Sequence, residues 1–183
     1  MKFGPTPIAG LWEIETQPLG DERGALTRLF CTELFEAIRP GLCFVQANHT
    51  VTHQRGTVRG LHFQRAPALE AKLVRCLQGR VHDVVVDLRA GSPTLGRWHA
   101  VELSGSNQRT LFIPEGCAHG FQTLTDDVHM LYHHTAPYSA ACEDGLRHDD
   151  PALAIAWPLP VSAISDRDRR HALIQGPLAG LPL

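Results

Sequence analysis

Glycine and proline cut this chain into short pieces, and that punctuation constrains the fold more than any other feature: sixteen glycines and thirteen prolines fall within 183 residues. The pieces between them are too short for well-packed helices but suit strands. Val81 to Leu88 is rich in β-branched residues and closes at Ala90-Gly91-Ser92-Pro93. Lys72–Leu77 closes at Gln78-Gly79, Trp98–Leu103 at Ser104-Gly105, and Thr110–Ile113 at Pro114-Glu115-Gly116. Val128–His133 ends before Thr135-Ala136-Pro137. Many short strands separated by turns predict an all-β barrel or sandwich. One short helix is predicted from Glu33 to Arg39, capped by Thr32 and stopped by Pro40-Gly41. The proline-rich part after Asp149-Asp150-Pro151 is expected to wrap the barrel surface. The length suits one domain, 1–183.

Charge and cysteine usage exclude several classes of function. The net charge is −2 with histidines neutral, so no global field favours a nucleic acid polymer or an anionic membrane. An anionic ligand must be held by a local site. The five cysteines, Cys31, Cys43, Cys76, Cys117 and Cys142, are odd in number and include no C-x-x-C pair. They are expected to be reduced thiols in a cytoplasmic protein, not a disulfide framework or a zinc knuckle. Met1 to Pro5 leads into no long apolar run, so neither a signal peptide nor a membrane span is expected.

Inward-pointing polar residues carry the information in a barrel that holds a ligand. In the strand at Val128–His133, Met130 and Tyr132 share one face, and His129, Leu131 and His133 the other. In the strand opening at Lys72, Lys72, Val74 and Cys76 share a face; most lysines point to solvent, and an inward one would be an unusual core position. Pro114, Gly116 and His119 form P-x-G-x-x-H, which resembles the second motif of the cupin superfamily. The first cupin motif begins correctly with Gly56 six residues before His62, but its second histidine is replaced by Gln64. His62, His119 and Glu70 would suffice for iron. Lys72, two residues beyond Glu70, would repel a divalent cation, so no metal is expected. His49, His53, His133-His134, His148 and His171 lack metal-like spacing and read as ordinary polar positions. Without a metal the set suits proton transfer beside a ketone. Such a reaction needs a base near neutrality and a cation for the enolate oxygen. His62 fits the first task and Lys72 the second. A phenol such as Tyr132 can return a proton from the opposite face.

The ordered motifs Asp21-Glu22-Arg23-Gly24, Gln46-Ala47-Asn48, Gly56 to Gln64, Lys72-Leu73-Val74, Asp83 to Arg89, Ser92-Pro93-Thr94, Ile113 to Phe121, Tyr132, Trp157-Pro158 and Ser165 to Asp168 run through nearly the whole chain. In them the chain resembles the dTDP-4-dehydrorhamnose 3,5-epimerase family. The resemblance implies a cupin double-stranded β-helix, or jelly roll, working as a homodimer in which the strand-like apolar segment Leu11-Trp12-Glu13-Ile14 pairs with the partner's sheet, with no metal or other cofactor. It implies His62 as the base, paired with Asp168, Tyr132 as the acid, and Lys72 at the enolate. Arg23, Gln46, Asn48, Arg59, His119, Tyr138, Glu143 and Arg167 would hold the nucleotide sugar, expected to be dTDP-linked. Guanidinium groups suit its diphosphate, and an aromatic such as Tyr138 can stack on a base.

Two departures bear on specificity. Many members place an acidic residue where this chain has Arg28, and His133-His134 after Tyr132 is unusual. Either would accompany a narrower activity at one carbon only. The competing readings are a 3-only or 5-only epimerase or a 3,4-ketoisomerase, a metal-dependent cupin oxygenase or isomerase, and a non-enzymatic sugar-binding cupin. The fold alone does not decide among these.

Overall fold

A computed structural model describes residues 1–183. In chain order the elements are β1 (Lys2–Pro5), β2 (Trp12–Glu15), β3 (Leu19–Asp21), β4 (Gly24–Leu26), α1 (Thr32–Phe35), β5 (Gln46–Thr52), β6 (Val58–Gln64), β7 (Lys72–Gln78) and β8 (Arg80–Asp87). They continue with β9 (Trp98–Ser104), β10 (Arg109–Ile113), β11 (Cys117–Thr123), β12 (Val128–His134), β13 (Glu143–Gly145) and α2 (Asp166–Arg170). A six-stranded sheet runs β1-β2-β10-β7-β12-β5, and a five-stranded sheet runs β13-β6-β11-β8-β9. Every ladder is antiparallel, and β3 and β4 form a separate hairpin. The two sheets pack face to face as the cupin jelly roll.

Three apolar layers hold this sandwich. Between the sheets, Val74, Cys76, Leu111, Ile113 and Met130 meet Val81, Val85, Val101, Leu103 and Phe121. Outside the five-stranded sheet, Leu61, Val84, Val86 and Ala118 are covered by Leu153, Ile155, Trp157, Ile174 and Leu181. Outside the six-stranded sheet, Ile14, Leu73 and Phe112 are covered by Phe35 and Leu42, with Phe3, Phe30 and Phe44 at the margin. Strand β8 is therefore buried on both faces, which explains its run of valines. Phe35 is fully buried, with the Phe3, Phe30 and Phe112 ring centroids 5.3, 5.0 and 6.0 Å away.

Three expectations need correction. The helix begins one residue earlier than its predicted start and is one turn long, because Thr32 lies inside it and Cys31 occupies the cap position without a side-chain bond. The segment Leu11-Trp12-Glu13-Ile14 does not form a free edge for a partner, because β2 lies between β1 and β10 of its own sheet. The C-terminal segment does more than wrap the surface. It turns inward at α2 and buries Asp168.

Candidate active site

A cavity of about 490 Å³ opens between the sheets, and both of them line it. His62 and Arg59 come from β6 and His119 from β11, on the five-stranded side. Lys72 of β7, Asn48 of β5, and Tyr132 and His134 of β12 come from the six-stranded side. Strand alternation continues the core-facing rows into the site, from Met130 to Tyr132 and from Val74 to Lys72. His62 and the Tyr132 phenol thus stand on opposing walls.

His62 is held from behind. Its Nε2 lies 2.8 Å from Asp168 Oδ1. The Gly60 N–H donates to Asp168 Oδ2 at 3.1 Å, and the Ser165 side chain caps α2 by accepting from the Asp168 N–H at 3.0 Å. Burial would raise the Asp168 pKa, but the His62 hydrogen bond and charge, with the Gly60 and Ser165 contacts, hold it well below the usual carboxylate range. An ionised carboxylate only accepts, so His62 Nε2 carries the hydrogen and Nδ1 keeps its lone pair. Arg167 Nη2 is 3.2 Å from the same Nε2. Two donors do not share one hydrogen bond, and the shorter carboxylate contact decides the tautomer. Gly60 also permits close approach of β6 to β11. Its φ is +113°, and a Cβ there would sit 2.6 Å from Gly120 Cα.

Lys72 is 7% exposed and points inward, the uncommon alternative for a lysine. Its Nζ donates to the His62 carbonyl at 3.3 Å and lies 3.3 Å from Glu70 Oε1. An ammonium has three donors, so one remains for a ligand oxygen. Burial pushes the Tyr132 phenol well above its ordinary pKa, and the charge of Asp83 adds to this. Tyr132 is therefore a protonated donor at neutral pH. His119 Nε2 is 2.9 Å from both oxygens of buried Asp83.

At the rim, the Tyr138 hydroxyl donates to Glu143 at 2.9 Å, and Arg167 Nη1 donates to Glu143 at 2.8 Å. Tyr138 is 56% exposed, as a stacking platform needs to be. The Tyr138 N–H donates to Gln46 Oε1 at 2.9 Å, and Gln46 Nε2 to Asn48 Oδ1 at 3.3 Å. Arg59 Nε donates to Thr52 Oγ1 at 2.8 Å. Of the expected site residues, Gln46 and Arg23 do not line the cavity: Gln46 is joined to it through Asn48 and Tyr138, and Arg23 stands apart. It lies between β3 and β4, pairs with Asp21, and does not line the cavity. Arg28 is likewise exposed and outside it.

Several neighbours of the site went unread in sequence. Glu70, considered only as a metal donor, is the partner of Lys72 and of His134, whose Nδ1 is 2.7 Å from Glu70 Oε2. His134, read as ordinary, is buried in the cavity wall. Its parity with Tyr132 was the available signal. Asp83 stands out in the sequence only as part of the Asp83 to Arg89 motif. Gln64, at the position of a cupin metal ligand, is spent on backbone groups: it donates to Ala68 O at 3.1 Å and Pro137 O at 3.3 Å, and accepts from the Ser139 N–H at 2.6 Å. His62, His119 and Glu70 are each committed to a different partner, and no three groups of metal-ligand type converge.

The chain is similar to known proteins in both sequence and fold. The family model for dTDP-4-dehydrorhamnose 3,5-epimerase matches residues 5–175. A dTDP-4-dehydrorhamnose 3,5-epimerase of Sinorhizobium fredii is 44% identical over 169 residues, covering 92% of this chain and 87% of the relative. A dTDP-4-dehydrorhamnose 3-epimerase of Streptomyces niveus is 40% identical over 175 residues, covering 95% and 84%. The solved structure of a dTDP-6-deoxy-D-glucose-3,5-epimerase of Legionella pneumophila, in complex with dTDP-4-keto-L-rhamnose, superposes with a TM-score of 0.88 at 40% identity, covering 94% of this chain and 92% of that one. On sequence and fold together, the chain belongs to the dTDP-4-dehydrorhamnose 3,5-epimerase family.

Proposed function

We propose that this isomerase epimerises dTDP-4-dehydro-6-deoxy-D-glucose at C3 and C5 through an enolate. The observation that carries the reading is the placing of a carboxylate-backed histidine and a protonated phenol on opposing sheets, with the Lys72 ammonium lining the same cavity. His62 Nδ1 takes the proton beside the C4 ketone, and the electron pair moves onto the ketone oxygen. Lys72 meets the charge that develops there. Tyr132 delivers a proton to the other face of the carbon, which inverts it; before the next step the imidazolium of His62 releases its proton to solvent and the Tyr132 phenolate takes one from solvent. C3 and C5 flank the same ketone, so one cation serves both. Arg59, Arg167, Tyr138, Glu143, Gln46, Asn48 and His119 hold the nucleotide sugar. Incubation with this substrate in deuterated water, followed by NMR, tests the reading. Deuterium at both carbons with an L-configured product supports it; deuterium confined to C3 makes the chain a 3-epimerase, like its Streptomyces niveus relative.

Residues 1–183 serve as one cupin-type epimerase domain, a reading supported by the reach of Asp168 from the C-terminal segment to His62. A homodimer is the expected working form. The β3–β4 hairpin leaves Leu19 and Leu26 71% and 72% exposed, beside an Arg23 that does not reach its own cavity. A partner would cover the hairpin and receive Arg23 at its diphosphate. Sedimentation as a stable monomer at working concentration would rule this out. Five free thiols favour a cytoplasmic setting, and no helix is long and apolar enough to cross a membrane.

A further inference from the structure

The proposed reaction leaves unexplained a buried histidine in the cavity wall. His134 ends β12, in register with Lys72 on one side and Gln46 on the other. Its Nδ1 lies 2.7 Å from Glu70 Oε2, and its Nε2 lies 3.3 Å from Asn48 Nδ2. A carboxylate only accepts and an amide nitrogen only donates. The two contacts together select the neutral imidazole with hydrogen on Nδ1. Burial would raise the pKa of Glu70, but the His134 hydrogen bond and the Lys72 charge hold it below its ordinary value, so the acceptor is ionised.

With this tautomer a series of hydrogen bonds runs in one direction. The Tyr138 N–H donates to Gln46, Gln46 to Asn48, Asn48 to His134, and His134 to Glu70. Lys72 closes the series from the other end, with one donor on Glu70 and another on the His62 carbonyl. Each link pairs one donor with one acceptor, and the third N–H of Lys72 is left for a ligand oxygen. Hydrogen bonds linked in this way orient each other.

We propose that His134 is a positioning residue that ties the substrate-binding amides of Gln46 and Asn48 to the Glu70–Lys72 pair, and so sets the direction in which the Lys72 ammonium points. The inference rests on the epimerase reading. An ammonium on a four-carbon stem has no fixed direction of its own. Glu70 supplies one anchor, and Glu70 is itself held by His134. Loss of the imidazole frees the carboxylate to follow Lys72 and lets Asn48 turn. A catalytic group displaced by about 1 Å loses up to about a hundredfold in rate.

The test compares His134→Ala, His134→Leu and His134→Asn with the unaltered protein in initial-rate assays on dTDP-4-dehydro-6-deoxy-D-glucose. Leucine keeps the volume without the hydrogen bonds, and asparagine keeps a donor where Nδ1 stands. Alanine and leucine are expected to lower kcat about ten- to a hundredfold, and asparagine to recover most of that loss. A leucine variant with the unaltered rate, or an asparagine variant no better than alanine, overturns the inference. Nitrogen-15 NMR of the histidines reads the tautomer of His134 whatever the variants do: hydrogen on Nδ1 supports the series, and hydrogen on Nε2 overturns it. If the unaltered protein is inert on this substrate, the epimerase reading fails and takes the catalytic part of His134 with it. If that protein is active and all three variants match it, only this inference fails.

Discussion

Replacing Asp168 by asparagine should disable the base while leaving the fold almost untouched. The Asp168 side chain is 3% exposed. It accepts from His62 at 2.8 Å and from the Gly60 N–H at 3.1 Å. An asparagine oxygen can keep the Gly60 bond. Its NH2 group then faces His62 Nε2 and must donate, so the imidazole has to accept at Nε2 and carry its hydrogen on Nδ1. The nitrogen that should take the substrate proton no longer has a lone pair. Loss of general-base function costs on the order of a hundred- to ten-thousandfold. The stability lost is far smaller, because one charge-assisted hydrogen bond is exchanged for a neutral one, a difference of roughly 1–2 kcal/mol. The pH dependence follows from the depressed Asp168 pKa. A carboxyl group whose folded pKa lies below its unfolded value of about 3.9 contributes stability that is fully present above that value. The contribution is lost as pH falls through the folded pKa. Asp168→Asn should therefore flatten the acid limb of the stability curve and leave the neutral plateau slightly lower. The assays are initial rates by NMR and thermal midpoints from pH 7 down to pH 3. An Asp168→Asn variant within about tenfold of the unaltered rate would refute the tautomer argument. So would a large loss of stability at neutral pH, because the defect would then be structural.

Lys72→Ala should lower kcat more than it raises KM, since the ammonium acts on charge present mainly in the transition state; a change in KM alone would make Lys72 a uniform binding contact. Asp87→Ala should destabilise the chain by roughly 3–5 kcal/mol with no specific effect on a folded enzyme, because buried Asp87 accepts from Arg89, Ser92 and Thr94 at the turn after β8. Denaturant titration with activity measured on the folded fraction checks it, and a stable but inactive variant would count against this purely structural role. Burial opposes ionisation of Asp87, but these donors hold its pKa far below the usual range, so the stability it adds should also disappear only in acid.

The strands that were easy to read are those buried on both faces. Strands β7, β8 and β10 lie under an apolar layer on each side, so nearly every position is constrained and the β-branched runs stand out. Strand β5, with the sequence QANHTVT, did not stand out, because its inward positions Asn48 and Thr50 line the cavity instead of the core. Strand β11 was hidden by Gly120, which is needed where β6 and β11 come within a Cβ of each other. In the site, His62, Lys72, Tyr132 and Asp168 do converge on one cavity, as the resemblance implied. His134 is not legible as an isolated histidine, but its strand makes it so. Tyr132 and His134 have the same parity on β12, so an inward tyrosine already required an inward His134. Glu70 was visible too, but its partner lies on a strand sixty-four residues further along the chain, and no local pattern announces that pairing.

The ladder itself explains why proton transfer is available at this place in the fold. In the register of β12 with β7, His134 stands opposite Lys72 and Tyr132 opposite Val74. In the register of β11 with β6, His119 stands opposite His62. Each wall therefore carries its functional groups on neighbouring strands, with positions set by backbone hydrogen bonds and not by loops. A slip of one residue in a strand would turn that strand's functional groups to the outer face. Lys72 joins the two walls, since it grows from the six-stranded sheet and donates to the carbonyl of His62 in the five-stranded one. The Lys72 ammonium is thereby fixed relative to His62 by the same contact that ties the sheets together. His62 and Tyr132 line the cavity from different sheets, so under the proposed reaction a ketone held between them meets base and donor from opposite sides, which favours inversion over exchange of the proton on one face.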